Sequence, residues 1–181
     1  MDAFQPWLVD FLRGFRPVAH MMRTHWAWPI MESLHFLGLS MLIGAIGTFD
    51  LRLMGLGKKI PIAELHRVIP WGIAGYCLNI ATGLTFLMTE PDQYIYNPSF
   101  HFKILFMTVA GLNVAAFYSV VFWKVRVLPP GVSTPFSAKV IGVVSLSMWI
   151  GVIIAGRLLT FYRPGICMRQ ALSFPFYCVP Q

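Results

Sequence analysis

The amino-acid sequence predicts an all-α fold: an integral membrane four-helix bundle with an N-terminal amphipathic interfacial helix. Three observations predict it. Hydrophobic residues make up 57% of the 181 residues and charged residues only 12%. That is about half the charged share of a soluble domain, and one core of this size cannot absorb the apolar surplus. Four apolar runs each approach the roughly 20 residues that a spanning helix needs. Aromatic residues reach 15%, which suits two interfacial belts.

Residues 4–22 come first, with Phe4, Trp7, Leu8, Phe11, Leu12 and Phe15 at helical spacing and polar residues between them. They read as an amphipathic helix lying in the interface. The charges at Asp2, Asp10, Arg13, Arg16 and Arg23 leave no clean apolar run, so no cleavable signal peptide is expected. The spans are expected at about 26–49, 68–88, 104–123 and 140–161. Segments 1–25, 26–162 and 163–181 then form an interfacial segment, a transmembrane domain and a C-terminal tail. Cys77 falls inside the second span, where it reads as a small buried hydrophobe. Cys167 and Cys178 lie in the tail and can pair if the tail faces an oxidising compartment.

The connections orient the chain. The first carries Arg52, Lys58, Lys59 and Arg67, the third Lys124, Arg126 and Lys139, and the second only Lys103 against Glu90 and Asp92. The positive-inside rule puts the first and third in the cytoplasm of a bacterial-type inner membrane and both termini in the periplasm. Trp26, Trp28, Tyr94, Tyr96, Phe100, Phe102, Phe161 and Tyr162 agree with an interface on the outer side. The net charge of +7 is accounted for by these loops. The partner expected is therefore a lipid bilayer, with other membrane subunits, and not nucleic acid.

Ionisable groups within lipid are costly and turn into the bundle, so they are the informative ones. Glu32 and His35, at i and i+3, share a face of the first span. Asp50 returns to the same direction, with Leu39, Ile43 and Ile46 between. The outer end of that face must meet protein, cofactor or water. Gly72, Gly75, Asn79, Thr82 and Gly83 share a face of span two; Thr108, Gly111, Ala115, Tyr118 and Ser119 share one in span three; Gly142, Ser145, Trp149 and Gly156 share one in span four. Small residues let helices approach closely, so these faces read chiefly as packing surfaces.

His35 has three readings: a haem ligand, a proton or quinone group, or a hydrogen-bonded packing residue. Glu32 can fix its tautomer. In the packing reading, Asn79 or Asn113, at similar depth, completes a polar layer. As a second axial ligand, His101 lies shallower by about 10 to 12 residues, His66 sits on the cytoplasmic side, and Met107 remains. Arg157 near the outer end can pair with Glu32. Asp50 and Arg52 close span one, Arg52 as a solvated helix end. His20 and His25, flanking Met21 and Met22, read as a loose interfacial pair rather than a copper site. The Glu-x-x-His of a di-iron bundle stands alone here and is set aside.

Trp28-Pro29, Glu32, His35, Gly38, Asp50-Leu51-Arg52 and Gly55 resemble the opening of an uncharacterised family of small bacterial four-helix inner-membrane proteins. Pro70-Trp71, Ala74-Gly75, Thr82-Gly83, Asn97-Pro98, Phe100, Lys103, residues 111–113, Ser145, Trp149 and Gly156-Arg157 continue the resemblance over 26–162. The family is similar in plan to four-helix b-type cytochromes, and some members carry a histidine where this chain has Tyr118. That family has no assigned activity, so the resemblance implies the fold; the function expected, with His35 as ligand or proton-handling group, is a membrane electron-transfer protein or redox-complex subunit, holding b-type haem or contacting quinone. Its cofactor-facing residues would be His35 (also the metal ligand), Glu32, Arg157, His101 and Tyr118. The alternative is a non-catalytic accessory subunit of a larger membrane complex. A transporter is third, and the lack of a broken-helix repeat speaks against it.

Overall fold

A computed structural model describes residues 4–161 of the chain, and these form helices joined by short connections. Two helices, α1 (Phe4–Arg13) and α2 (Arg16–Met22), precede α3 (Ala27–Met54). Then come α4 (Ile62–His66), α5 (Ile69–Thr89), α6 (Pro91–Ile95) and α7 (Pro98–Ala116). A π turn over Phe117–Val121 leads into α8 (Phe122–Val125), and α9 (Phe136–Leu158) follows. Four stretches are long and apolar enough to cross a membrane: Ala27–Met54, Ile62–Thr89, Pro98–Val125 and Phe136–Leu158. Only 17–33% of each is buried inside the chain, so most of their apolar surface looks outward, as lipid requires. The tail cysteines Cys167 and Cys178, and Tyr162, lie outside the described residues.

Local chemistry sets the ends. The first span runs five residues past its expected end because Gly55, at φ +108°, provides the left-handed C-cap. The third starts six residues early: the Asn97 side chain accepts from Ser99 N–H at 2.9 Å, and Pro98 occupies the first turn.

In lipid the hydrophobic effect does not draw helices together, so close packing must. Glycines supply it. A Cβ on Gly75 would lie 2.5 Å from the Gly38 carbonyl oxygen, so α3 and α5 touch backbone to backbone. At the other end of α3, a Cβ on Gly142 of α9 would meet the Asp50 carbonyl oxygen at 2.8 Å. Gly151 of α9 receives the Phe106 ring of α7. Spans one and two form one antiparallel pair and spans three and four a second, and the pairs join along α3 and α9. Spans two and three barely touch.

One end, the amino-terminal face, carries α1, α2 and α6. Val9 and Leu12 of α1 are buried against Ile95, while Phe4, Trp7, Phe11 and Phe15 form an exposed aromatic row. Arg13 donates to Asp92 at 2.7 Å and ties α1 to α6; this bond, with the charge of Asp92, raises the Arg13 pKa further. The opposite, basic face holds two loops clasped together. Arg52 donates to the carbonyls of Ile60 (2.8 Å) and Lys58 (3.2 Å). Gly131 N–H donates to Lys58 O at 2.8 Å, and Thr134 donates to Leu53 O at 2.6 Å. Two expectations are corrected here. Arg52 is not a solvated helix end but is buried, because the 55–61 loop folds back to supply its acceptors. Cys77 is exposed on the outer side of α5 rather than buried, because the opposite side of that helix faces α3.

Candidate functional site

The polar groups of the bundle gather in two places. The first lies between α3 and α5, nearer the amino-terminal face. His35 Nδ1 is 2.7 Å from Thr82 Oγ1. Thr82 already spends its one proton on the Leu78 carbonyl at 2.8 Å, so its oxygen can only accept from the imidazole. The hydrogen bonds therefore place the His35 proton on Nδ1 and leave Nε2 with a bare lone pair. Nε2 has no hydrogen-bond partner among the described residues. Phe86 packs edge-on to the ring at 5.8 Å, with Trp28 beyond it, and Gly83 passes beneath Cε1. Lys103 of α7, half-buried, is close enough to act on the ring electrostatically. Its ammonium reaches toward Gly156 of α9.

The expected polar layer of His35 with an asparagine does not form. Asn79 donates to Gly75 O at 3.0 Å and packs against Gly38, which leaves its Oδ1 buried without a partner among the described residues. Asn113 donates across to Ile141 O on α9 at 3.0 Å. Thr82, placed by its sequence pattern on a packing face, is the real partner. Its distance from His35 is set by how α3 and α5 rotate against each other, which their own periodicities do not state.

The other expected residues do not converge on His35. Glu32 is exposed, bonds neither His35 nor Arg157, and acts instead on Tyr94 of α6. Burial, Glu90 and Glu32 together push the Tyr94 hydroxyl up to about 12. Arg157 is exposed and stacks over Phe161 at 5.4 Å; no ion pair joins it to Glu32 among the described residues. His101 is exposed and donates from Nδ1 to Asn97 O at 3.0 Å, one turn back on its own helix.

Tyr118 belongs to the second place, near the basic face. It sits in the π turn of the third span and shares a 3.0 Å hydrogen bond with His66. Phe49, Phe117 and Phe122 surround that pair. A π turn inserts one extra residue per turn and is often found at functional positions; nothing in the local sequence marks this one. Beside it, Asp50 is buried against Ser145, with Oδ2 lacking a partner among the described residues. A haem would be held by His35 through its free Nε2, whose chemistry suits iron. His101 and Tyr118 are held at opposite ends of the third span by Asn97 and His66, so neither would join His35 in holding it.

Comparison with known proteins gives no match: no family model, no curated protein and no solved structure is similar to this chain.

Proposed function

We propose that the chain is a membrane electron-transfer protein or a subunit of a redox complex, in which His35 is the cofactor-holding or proton-handling group. One observation carries this reading: Thr82 fixes the Nδ1–H tautomer and presents an unshared Nε2 lone pair within a spanning segment. A merely structural histidine in lipid gains by satisfying both nitrogens. A neutral imidazole with one nitrogen anchored and one free is the form that ligates iron or accepts a proton from a quinol hydroxyl. A b-type haem bound there would supply one-electron chemistry. His35 would hold it by one bond, Thr82 would orient the ring, and Lys103 would offset negative charge nearby. The basic loops support placing that face in the cytoplasm of a bacterial inner membrane, with both termini periplasmic. The resemblance to small four-helix inner-membrane proteins belongs to the same reading.

The test is a reduced-minus-oxidised visible spectrum of the purified protein. Sharp α bands that vanish in His35→Ala support a haem on His35. A colourless, folded protein excludes haem in the isolated chain.

A second reading, an accessory subunit of a larger membrane complex, is favoured by the aromatic row of α1. Phe4, Trp7, Phe11 and Phe15 contact one another in sequence, tilted, stacked and edge-on in turn, and all four are exposed. Co-purification of intact membrane complexes with the full chain but not with residues 16–181 would support it.

A further inference from the structure

The fold brings two lysines of the basic face together and leaves them without a counter-charge. Lys58 stands in the loop after α3, and Lys139, half-buried, in the first turn of α9. They meet over the end of α3: a Cβ on Gly55 would lie 3.9 Å from Lys58 Cε and 4.0 Å from Lys139 Cε. The loop is tied where it stands. Arg52, 2% exposed, donates to the carbonyls of Ile60 and Lys58, and Gly131 N–H donates to Lys58 O. Neither lysine makes a hydrogen bond or an ion pair within the described residues. Glu64, the carboxylate between α3 and α5, is engaged by Arg67 at 3.0 Å. The carbonyls that end α3 do not serve either: those of Leu51, Arg52 and Leu53 already accept from Leu56 N–H, Gly55 N–H and the Thr134 hydroxyl.

Two like charges held at one spot repel, and an anion between them turns that repulsion into attraction. The level of the site selects the source of the anion. Gly55 closes α3 and Lys139 lies in the opening turn of α9, so the lysines stand where the spans leave the acyl region, at the depth of lipid phosphates. Leu56 and Ile60 of the same loop, and Phe136 one turn before Lys139, are exposed apolar side chains that suit the acyl side of a headgroup. We propose that Lys58 and Lys139 form a site for the phosphodiester of an anionic phospholipid, of the phosphatidylglycerol kind, in the leaflet at the basic face. Basic pockets between spans hold lipid headgroups by this chemistry. A phosphodiester carries one negative charge on two free oxygens, so each ammonium can meet one of them. A zwitterionic headgroup brings an ammonium of its own into the cluster and is disfavoured. The site shares no residue with the His35 reading and stands or falls without it.

The full chain, purified in a neutral detergent, is titrated with palmitoyl-oleoyl phosphatidylglycerol or with the phosphatidylcholine of the same chains, and bound lipid is counted by native mass spectrometry. One phosphatidylglycerol is expected to bind in clear preference to phosphatidylcholine. Lys58→Gln and Lys139→Gln should each weaken it about fivefold, and the double variant about thirtyfold. Lys58→Arg with Lys139→Arg, which keeps both charges, should retain it. The control is the equally charged pair Lys124 and Arg126 on the same face, where Arg126 is drawn over the Phe122 and Trp123 rings at 5.7 and 5.1 Å. Lys124→Gln with Arg126→Gln should leave the preference unchanged. Equal affinity for the two lipids overturns the proposal; that comparison uses the unaltered chain and holds whether or not a variant folds. An equal loss in both glutamine pairs also overturns it, and makes the attraction a diffuse one of the whole face. Displacement of the lipid by inorganic phosphate at matched ionic strength overturns the lipid as occupant and makes this a site for free phosphate.

Discussion

Thr82 Oγ1 lies 2.7 Å from His35 Nδ1 and simultaneously donates to the Leu78 carbonyl, so a single hydroxyl on α5 decides which nitrogen of a histidine on α3 carries the proton. The arrangement makes Thr82 a positioning residue. Its contribution is readable separately from its contribution to packing.

Thr82→Val keeps the shape of the side chain and removes the acceptor. The Nδ1–H tautomer should lose its hold, seen as a change in the imidazole ¹⁵N shifts of His35. Stability should fall by about 1–3 kcal/mol, the cost of a buried donor left without a partner. Thr82→Ser should restore both. Unchanged imidazole shifts in Thr82→Val would show that the hydroxyl does not set the tautomer.

Gly75→Ala is expected to be poorly tolerated, because its Cβ would sit 2.5 Å from the Gly38 carbonyl oxygen, which is backbone and cannot turn aside. Overpacking of this kind costs about 1–3 kcal/mol. Gly111→Ala, which meets nothing within 4 Å, should stay within about 0.5 kcal/mol of the parent. Thermal unfolding in detergent, run side by side on the two variants, separates them; equal melting curves would refute the close contact of α3 with α5.

Tyr118→Phe removes one side of the bond to His66. Tyr118 is 38% exposed, so the loss should be small, about 0.5–1 kcal/mol. The His66 imidazole resonances should shift, whereas those of His35 should not. A shift at His35 would contradict the separation of the two polar places along the bundle.

Tyr94 gives a prediction in pH. Its folded pKa is raised to about 12 from an ordinary value of 10.0 by burial, Glu90 and Glu32. Below pH 10 both folded and unfolded chains hold the proton, and Tyr94 adds no pH dependence. Between about 10 and 12 the unfolded chain releases it first, so stability falls as pH rises, by roughly 1.4 kcal/mol per unit at most. Tyr94→Phe should flatten this part of the stability profile. A profile equally steep in Tyr94→Phe would assign the alkaline loss to other groups.

How much of this was legible in the sequence follows from which physical signals are local. The four spans were, because each is a long run of apolar residues whose length lipid dictates. The small-residue faces of α5 and α9 were, because Gly72 and Gly75, and Gly142 and Ser145, repeat at helical spacing. Helix ends were read less well: Gly55 and Asn97 carry ordinary capping chemistry, but the apolar runs stop short of both. The partner of His35 was not legible, since it depends on the mutual rotation of two helices that Gly38 and Gly75 fix by contact. The burial of Arg52 depends on a loop folding back onto it, and the pairing of His66 with Tyr118 on a π turn that shifts the helical phase. Both are tertiary facts with no local signature. Spacing puts Glu32 on the His35 face and depth puts Arg157 level with it, yet each stands on an exposed side of its helix, where neither signal reads the neighbouring element.

The joining of the bundle as two sequence-local antiparallel pairs, meeting along α3 and α9, bears on biogenesis. The first pair can complete its backbone contact at Gly38 and Gly75 while the ribosome is still making the second. The clasp of Lys58 with Gly131 can close only after the third span has been inserted. Two separately translated fragments, divided within the connection between α6 and α7, carry all of each pair's internal contacts and should reassemble in the same membrane.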